Sequence, residues 1–431
     1  MEQKTLLKNK KNQGNGGETM AKRDDSVKKK VPELRFKGFT DDWEQRKFED
    51  IAETRRGLTY KPNSVVNNGI RVLRSSNINE DTFIFDNDDV FVDENAVNIP
   101  YVKNGNILIT SANGSSRLVG KHAIIRNLPD NRAVHGGFML IASSSNPEFL
   151  NASMSSRWYS KFINLYVAGG NGAIGNLNKN DLDTQIVLVP SLAEQQQIGA
   201  YFKYLDNLIT LHQRKLDLLK EQKKGFLQKM FPKNGEKVPE LRFAGFADDW
   251  EERKFSDFTK LSQGLQIAIS DRFTEAGPNK EFYITNEFLN PNNTKKYYIE
   301  NPSKNVIANT NDILMTRTGN TGKVITNTKG AFHNNFFKID YDPKKISKLF
   351  LYFLLTSIPI QKEILIRAGT STIPDLNHKD FYKIKVYLPV FEEQQQIGSF
   401  FKQLDDTISL HQRKLDLLKE QKKGFLQKMF V

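Results

Sequence analysis

Residues 212–231 read HQRKLDLLKEQKKGFLQKMF, and residues 411–430 repeat these twenty letters without a change. The match extends towards the N-terminus, so that residues 194–231 and 393–430 differ at only six of 38 positions. In both segments apolar residues recur at alternating steps of four and three, which is the period of a coiled-coil seam. The repeat therefore predicts two long helices of the same kind, each about 55 Å long at a rise of about 1.5 Å per residue.

Each predicted helix has one apolar stripe that the other could cover. The seam residues are Ile198, Phe202, Leu205, Ile209, His212, Leu216 and Leu219 in the first helix, and Ile397, Phe401, Leu404, Ile408, His411, Leu415 and Leu418 in the second. Two such helices pair either in parallel, with both globular modules at one end, or antiparallel, with a module at each end. The short connector 232–237 favours an antiparallel coiled coil with pseudo-two-fold symmetry. We interpret the two seam histidines as residues that fix the register rather than as a metal pair, and Gly225 and Gly424 as points where each helix breaks or frays.

A second repeat opens each half of the chain. Residues 31–50 read VPELRFKGFTDDWEQRKFED, and residues 238–257 read VPELRFAGFADDWEERKFSD. Between opener and helix the halves diverge, although short β-like runs occur in both. ILIT (107–110) corresponds to ILMT (313–316), His135 to His333, and Leu177 to Leu376. A duplication of this kind sets the architecture of the whole chain.

We predict an α+β fold with two globular modules of mixed short strands and helices, each followed by a long helix. The predicted domains are a basic disordered tail (1–30), a first module (31–193), a central long helix with its linker (194–237), a second module (238–392) and a C-terminal long helix (393–431).

The composition excludes several classes of protein. Hydrophobic residues make up 38% and aromatic residues 11% of the chain, which is enough for buried cores. The chain has no Cys, which excludes disulfides, thiolate metal sites and iron–sulfur clusters. No window reaches the roughly 18 apolar residues of a membrane span and no signal peptide is evident, so we expect a cytoplasmic protein.

The net charge of +13 arises from residues 1–30, 212–231 and 411–430, because the rest of the chain is neutral overall. This charge suggests an anionic partner, most commonly nucleic acid. Solvated helix faces and a loose tail would give the same pattern, so charge alone does not identify a binding surface.

Motifs that carry catalysis are absent or incomplete. Residues 170–175 read GNGAIG, which matches a dinucleotide-binding pattern, but the equivalent residues 369–374 read GTSTIP, and we interpret the first segment as a glycine-rich loop. No phosphate-binding GxxxxGK[ST] loop occurs, and residues 146–149 (NPEF) lack the second proline of an amino-methyltransferase motif. The histidines show no metal-binding spacing, and no GxSxG elbow occurs. We therefore expect a binding protein without catalysis, metal or bound cofactor of its own.

Polar and basic residues that follow β-like runs are the candidates for reading DNA, because their donors and acceptors match base edges in the major groove. The candidates are Arg71, Arg74, Ser75, Asn77, Ser111, Asn113, Ser115, Arg117 and Asn171 in the first module, and Arg317, Thr318, Asn320, Lys323, Arg367, Thr370 and Ser371 in the second.

The repeated VPELRF opener, the modules that end in IVLVPSLAEQQQIG and VYLPVFEEQQQIG, and the long basic helices resemble the specificity subunits of type I restriction-modification enzymes. The resemblance covers nearly everything from Val31 onward. It implies that each module is a target recognition domain for one half of a split double-stranded DNA site, and that antiparallel helices set the gap. It further implies two modification subunits that methylate adenine with S-adenosylmethionine, and two restriction subunits that need ATP and Mg.

Two rival functions stay open from the sequence. One is a two-domain DNA-binding regulator or architectural protein outside restriction-modification, and the other is a coiled-coil scaffold whose modules bind proteins. If the resemblance holds, the protein works in a bacterial or archaeal cytoplasm and lies at the nucleoid when bound to DNA. Residues 1–30 precede the usual start of such subunits, so we expect translation to begin at Met20.

Overall fold

The structure, a computed structural model, describes residues 6–8, 31–129, 132–167, 175–233, 235–290, 292–369 and 372–431. The chain divides into two compact units: unit 1 contains residues up to His212 together with Lys414–Val431, and unit 2 is Gln213–Arg413. The predicted tail 1–30 lies outside the described residues, apart from the strand β1 (Leu6–Lys8), which pairs antiparallel with β2 (Leu34–Phe36).

Unit 1 is built on two four-stranded sheets, with a two-stranded ribbon from the opener. After β2, its elements are β3 (Glu44–Lys47), β4 (Glu53–Arg56), β5 (Val65–Val66), β6 (Ile70–Leu73), β7 (Ile78–Asn79), β8 (Thr82–Phe83), β9 (Val90–Val92), β10 (Ile107–Thr110), β11 (Ala112–Asn113), β12 (His122–Ile124), β13 (Ala133–His135), β14 (Met139–Ser143), α1 (Pro147–Met154), α2 (Arg157–Tyr166), β15 (Gly175–Asn176), α3 (Lys179–Asp183), β16 (Ile186–Val189) and the long helix α4 (Leu192–Lys229), which continues into unit 2. The sheet orders are β12-β10-β14-β4 and β13-β6-β9-β5, and β16 pairs with β3. Every strand pair is antiparallel except β13 with β6.

Unit 2 repeats this plan with a different sequence. Its elements are β17 (Glu251–Lys254), α5 (Phe255–Phe258), β18 (Thr259–Gln263), β19 (Lys280–Ile284), β20 (Tyr298–Glu300), β21 (Ile307–Ala308), β22 (Ile313–Thr316), β23 (Val324–Thr326), β24 (Gly330–Phe332), β25 (Phe336–Tyr341), α6 (Lys348–Thr356), α7 (Ile358–Ala368), α8 (His378–Tyr382), β26 (Lys385–Leu388) and α9 (Phe391–Lys428), which ends in unit 1. The sheet β18-β25-β22-β23 and the ribbon β17-β26 correspond to those of unit 1. The sheet β20-β19-β24-β21 keeps the equivalents of β9, β6 and β13, but its fourth strand, β21, pairs with β24, whereas β5 of unit 1 pairs with β9. The predicted α+β class is confirmed.

The hydrogen bonds of the sheets correct one sequence correspondence and confirm another. Gly136 and His333 each donate a backbone N–H to the last residue of the neighbouring parallel strand, Leu73 and Ile284 respectively, at 2.9 Å. His333 is therefore equivalent to Gly136, and the match of His135 with His333 is wrong by one residue, because His135 is the last residue of β13 whereas His333 is the first residue after β24.

The match of Leu177 with Leu376 is confirmed by the same kind of bond. The two leucines donate their backbone N–H groups to Ser111 O at 2.7 Å and to Arg317 O at 2.9 Å. Each acceptor directly follows the ILIT or ILMT strand of its own module.

In unit 1 the first part of α4 packs against the last turns of α9. The Phe202 and Phe430 rings lie 5.9 Å apart, and Lys422 Nζ lies 2.8 Å from an Asp206 carboxylate oxygen. Residue numbers rise along one helix as they fall along the other, so the two segments run in opposite directions within this unit.

In unit 2 the same arrangement recurs with the opposite ends of the helices. The rings of Phe226 and Phe400 lie 5.1 Å apart, and Lys223 pairs with Asp405. All fourteen predicted seam residues are buried or half-buried. Pairing of α4 with α9 as one continuous coiled coil stays a prediction.

The long helices do not break at their late glycines, which corrects the expectation from the sequence. Gly225 and Gly424 lie inside α4 and α9, which continue to Lys229 and Lys428. A Cβ added at either glycine would meet no heavy atom within 4 Å. The helical hydrogen bonds and the apolar side chains that follow outweigh the cost of about 1 kcal/mol that a glycine imposes.

Buried ion pairs explain why the opener and the helix start are repeated together. Arg35 donates two hydrogen bonds to the Glu194 carboxylate, at 2.6 and 2.8 Å, and Arg242 does the same to Glu393, at 2.7 and 2.8 Å. Neither carboxylate is exposed to solvent. Each pair thus anchors the VPELRF segment to the first turn of the long helix of its own half.

Among the described residues, no single helix is both long and apolar enough to cross a membrane. The helices α6 and α7 together have the length and composition, but they bend by 62° at Ser357. Five residues of α6 lie in the core of unit 2.

Candidate nucleic-acid interface

The strand register of the first module brings five loop segments to one edge. β4, β6 and β10 end at this edge and β14 begins there, because Arg56 pairs with Leu140 and Thr110 with Met139. The segments that follow or precede these strands form rim one, which we define as residues 57–60, 74–77, 111–120, 136–138 and 175–176. Predicted candidates from distant parts of the sequence therefore lie close together.

Rim one is held together by hydrogen bonds between its loops. Asn113 Nδ2 donates to Ser75 Oγ at 3.0 Å, so two of the predicted candidates contact each other directly. The backbone N–H groups of Ser111 and Ala112 donate to Phe138 O at 2.9 and 3.1 Å. β11 then pairs with β15, which closes the rim.

The second module has an equivalent edge, rim two, which we define as residues 264–267, 285–289, 317–322, 333–335 and 375–376. Asn286 Nδ2 donates to Thr318 O at 3.0 Å, in the position of the contact between Ser75 and Asn113 in rim one. Arg317 Nη2 donates to an Asp375 carboxylate oxygen at 2.7 Å, and the Thr318 hydroxyl donates to the same carboxylate. The two rims share one backbone plan and differ in nearly every side chain.

Three of the predicted candidates in module one are engaged inside the protein. Arg71 pairs with Asp89, and its guanidinium lies 4.8 Å from the centre of the Phe91 ring. Arg74 Nη2 donates to a backbone carbonyl oxygen. Asn77 is fully buried, and its Nδ2 donates to Asp89 at 2.7 Å. These contacts shape the loop after β6 and leave the three side chains less available for bases than the sequence pattern indicates.

The remaining candidates differ in exposure. Ser115, Arg117, Asn320 and Lys323 are exposed; Ser75, Asn113, Arg317, Thr318 and Arg367 are half-buried; and Ser111 is buried. Arg367 lies on α7, where its Nε donates to Glu363 at 3.2 Å. Asn171, Thr370 and Ser371 lie outside the described residues. The exposed four are the predicted candidates best placed to reach an external ligand.

The histidines next to the rims are neutral at pH 7. Burial lowers the pKa of His135 to about 4, and its Nε2 lies 3.1 Å from Arg55 O. Burial also lowers the pKa of His333 and that of His378. The positive charge of the nearby Arg317 lowers the pKa of His378 further. Positive charge at the rims therefore comes from Arg and Lys and not from imidazolium groups.

Phe138 lies in rim one but is not among the residues predicted from the sequence. Its side chain is 74% exposed, at the end of the His-Gly-Gly-Phe turn between β13 and β14. The sequence signal was an aromatic residue directly after two glycines, which places a bulky side chain on a turn rather than in a strand. Asn286 and Asp375 of rim two were also missed, because their roles depend on partners more than thirty residues away.

No group of three or more His, Asp or Glu side chains that could hold a metal ion occurs within the part of the chain that the structure describes. The rims are rich in hydroxyl, amide and guanidinium groups. Such groups recognise base edges and phosphates.

The two halves also match one family, once each. The model of the family described as "Type I restriction modification DNA specificity domain" matches residues 40–221 and 247–420. The chain belongs to this family. The two matched segments each contain one rim and most of one long helix, so the duplication seen in the sequence is a duplication of the specificity domain.

Two relatives named as specificity subunits match long stretches of the chain. A Methanocaldococcus jannaschii protein provisionally named the type I restriction enzyme MjaX specificity subunit is 26% identical over 399 residues, which are 90% of this chain and 92% of that protein. The MjaVIII specificity subunit of the same organism is 23% identical over 274 residues, 59% of this chain and 63% of that protein.

Solved structures share the fold. The S subunit of the type I restriction-modification system from M. genitalium superposes with a TM-score of 0.60 at 15% identity, over 93% of this chain and 99% of that one. A second structure, from work on complex assembly and conformational transition of the type I R-M system, superposes with a TM-score of 0.52 at 14% identity. The match covers 89% of this chain and 96% of that one. The family model and the relatives above, and not the shared fold alone, make the chain a DNA specificity subunit, which is a non-catalytic role. The rival of a regulator outside restriction-modification is not favoured.

Proposed function

We propose that this specificity subunit reads a bipartite double-stranded DNA target, with rim one on one half-site and rim two on the other. The observation that carries the proposal is the equivalence of the two rims. Two modules with dissimilar sequences keep the same backbone hydrogen bonds between their loops and present different side chains on these loops. A shared backbone would place both rims on DNA in the same way, and the different side chains would read a different base sequence in each half-site.

The exposed side chains of the rims support direct contact with DNA. Arg117 in rim one and Lys323, which directly follows rim two, are both exposed to solvent and suited to phosphates or guanine edges. Asn320 has a backbone φ of 53°, which turns the loop sharply and holds this side chain at the tip. Arg317, which is fixed by Asp375, is a rigid donor beside this tip.

The long helices supply the fixed gap between the half-sites. Their segments run in opposite directions within each unit, which supports an antiparallel coiled coil along the seam from Ile198 to Leu219 and from Ile397 to Leu418. A rigid rod of constant sequence keeps the spacer length constant whichever modules it carries.

The outer faces of the same helices are suited to docking of the modification subunits. Leu211 and Leu218 are 63% and 52% exposed and lie seven residues apart on α4. Their counterparts Leu410 and Leu417 on α9 are 62% and 51% exposed. Two identical apolar stripes fit two copies of one partner, and neither stripe belongs to the predicted seam.

Partner subunits supply the chemistry in this proposal. Two modification subunits bind S-adenosylmethionine and methylate adenine in each half-site after extruding the base. Two restriction subunits bind ATP and Mg and cleave DNA that lacks the methyl groups. The complex works in the cytoplasm of a bacterial or archaeal cell, at the nucleoid when it is bound to DNA.

A methylation map of the host genome tests the proposal. Methyl-adenine in one split motif should be present with the gene, absent after its deletion, and restored by the gene on a plasmid. The modification-subunit gene stays intact and expressed as the control. An unchanged map after deletion, with that subunit present, would show that this chain does not select the methylated sequence.

A further inference from the structure

We infer that Phe138 of rim one is a specificity-determining residue, and that its ring contacts the 5-methyl group of a thymine in the half-site read by the first module. The inference rests on the proposed function and goes beyond it by naming one residue and one base feature. Among the polar groups of rim one, the Phe138 side chain is a large apolar group that is 74% exposed to solvent.

The backbone of Phe138 is held firmly, which distinguishes it from a mobile surface residue. Phe138 O accepts hydrogen bonds from the backbone N–H groups of Ser111 and Ala112 at 2.9 and 3.1 Å. Ser111 O in turn accepts from Leu177 N at 2.7 Å. The turn that carries the ring is thus tied to the loop that carries Asn113 and Arg117.

Glycines make this turn compact. A Cβ on Gly57 would lie 1.9 Å from Gly136 O, and a Cβ on Gly137 would lie 3.1 Å from Thr59 Oγ1. The backbone therefore packs closely on both sides of the turn, and the aromatic side chain that follows projects away from the protein. A ring that is 74% exposed contributes little to the burial of the core.

The second module has a polar side chain at the equivalent position. Asn335 O accepts a hydrogen bond from Arg317 N at 2.7 Å, as Phe138 O does from Ser111 N. Asn335 is half-buried, and its backbone N–H donates to His333 Nδ1 at 3.1 Å. The fold therefore does not require an aromatic residue here, and the change from Phe to Asn is the kind that alters which base is read.

Thymine is the base that suits an apolar ring. In the major groove its 5-methyl group is an apolar feature beside hydrogen-bonding edges, and Phe is among the side chains that contact it. The neighbouring hydroxyl and amide groups of Ser75 and Asn113 suit the polar edges of the same or the next base pair.

The test uses the full chain assembled with its modification subunits and duplexes containing the methylated split motif. Each thymine is replaced in turn by deoxyuridine, which removes the methyl group and keeps the base pair. One replacement should weaken binding of the unaltered protein about fourfold, the effect of one buried methyl group. The same replacement should have no effect on the Phe138→Ala complex, whose affinity for the intact site should already be lower by at least this factor.

Two matched variants complete the experiment. Phe138→Leu keeps an apolar side chain and should retain part of the methyl dependence, whereas Asn335→Ala should leave it unchanged. If unaltered and Phe138→Ala complexes respond alike to every deoxyuridine, the inference is overturned while the proposed function stands. If the unaltered complex shows no preference for the split motif over unrelated DNA, the proposed function fails and the inference fails with it.

Discussion

Replacing Glu194 by Gln should destabilise unit 1 by about 3 kcal/mol or more, because it leaves the Arg35 guanidinium buried without its counter-charge. The Glu194 side chain is fully buried and that of Arg35 is 9% exposed, so water cannot take the place of the lost carboxylate. The two hydrogen bonds of 2.6 and 2.8 Å are both charge-assisted and are both weakened at once. Removing one partner of such a pair typically costs about 3–5 kcal/mol.

The structure provides matched controls for this variant. Glu44→Gln disrupts the exposed pair of Glu44 with Arg46 in the same unit, whose two side chains are 68% and 51% exposed, respectively. This variant should lower the free energy of unfolding by less than about 1 kcal/mol. Glu393→Gln removes the equivalent carboxylate in unit 2 and should cost slightly less than Glu194→Gln, because Arg242 is 15% exposed.

Urea unfolding followed by pulsed hydrogen–deuterium exchange and mass spectrometry assigns the loss of structure to each unit. Glu194→Gln should lower the urea midpoint of unit 1 peptides, and the double variant with Arg35→Met should recover much of that loss. An effect of Glu194→Gln no larger than that of Glu44→Gln would refute the view that the buried pair anchors the opener to the helix.

Three further predictions concern the helices, the rims and pH. Gly225→Ala and Gly424→Ala should each raise the free energy of unfolding by up to about 1 kcal/mol in urea titrations, because the added methyl groups meet nothing within 4 Å. A lower free energy of unfolding would show that the helices need glycine at these positions. Arg117→Ala and Lys323→Ala should each weaken DNA binding and reduce the salt slope of log K by about one, and an unchanged slope would exclude phosphate contacts. Burial lowers the pKa of His135 to about 4. Below about pH 6.5 His135 is therefore protonated in the unfolded chain but not in the folded chain. The free energy of unfolding of unit 1 should fall by up to about 3 kcal/mol as the pH falls from about 6.5 to about 4. His135→Gln should flatten this part of the stability profile, and an unchanged profile would contradict the pKa.

The constant frame could be predicted from the sequence because its signals are local and occur twice. The repeat placed the starts of the two long helices at residues 194 and 393, and the structure begins them at Leu192 and Phe391 and ends them at Lys229 and Lys428. ILIT and ILMT were predicted as strands and are β10 and β22, since a short apolar run before polar loop residues is typical of a buried strand.

The candidate site could be predicted only in outline, because its geometry depends on partners far apart in the sequence. Arg71 looked available for DNA until the structure placed Asp89 and Phe91 around its guanidinium. Phe138 could not be predicted from hydrogen-bonding groups, because its side chain has none. Gly225 was misjudged because propensity alone does not weigh the apolar residues that follow it.

The duplication of the chain allows a test of whether each rim reads one half of the target. In a chain in which residues 258–392 also replace residues 51–193, both openers and both long helices keep their places and the second module occurs twice. The methylated motif in a host that expresses this chain with the modification subunit should become a palindrome made of two copies of the half-site of the second module, with an unchanged spacer. A map that keeps the original asymmetric motif, or that changes both half-sites, would show that the two rims do not each read one half-site.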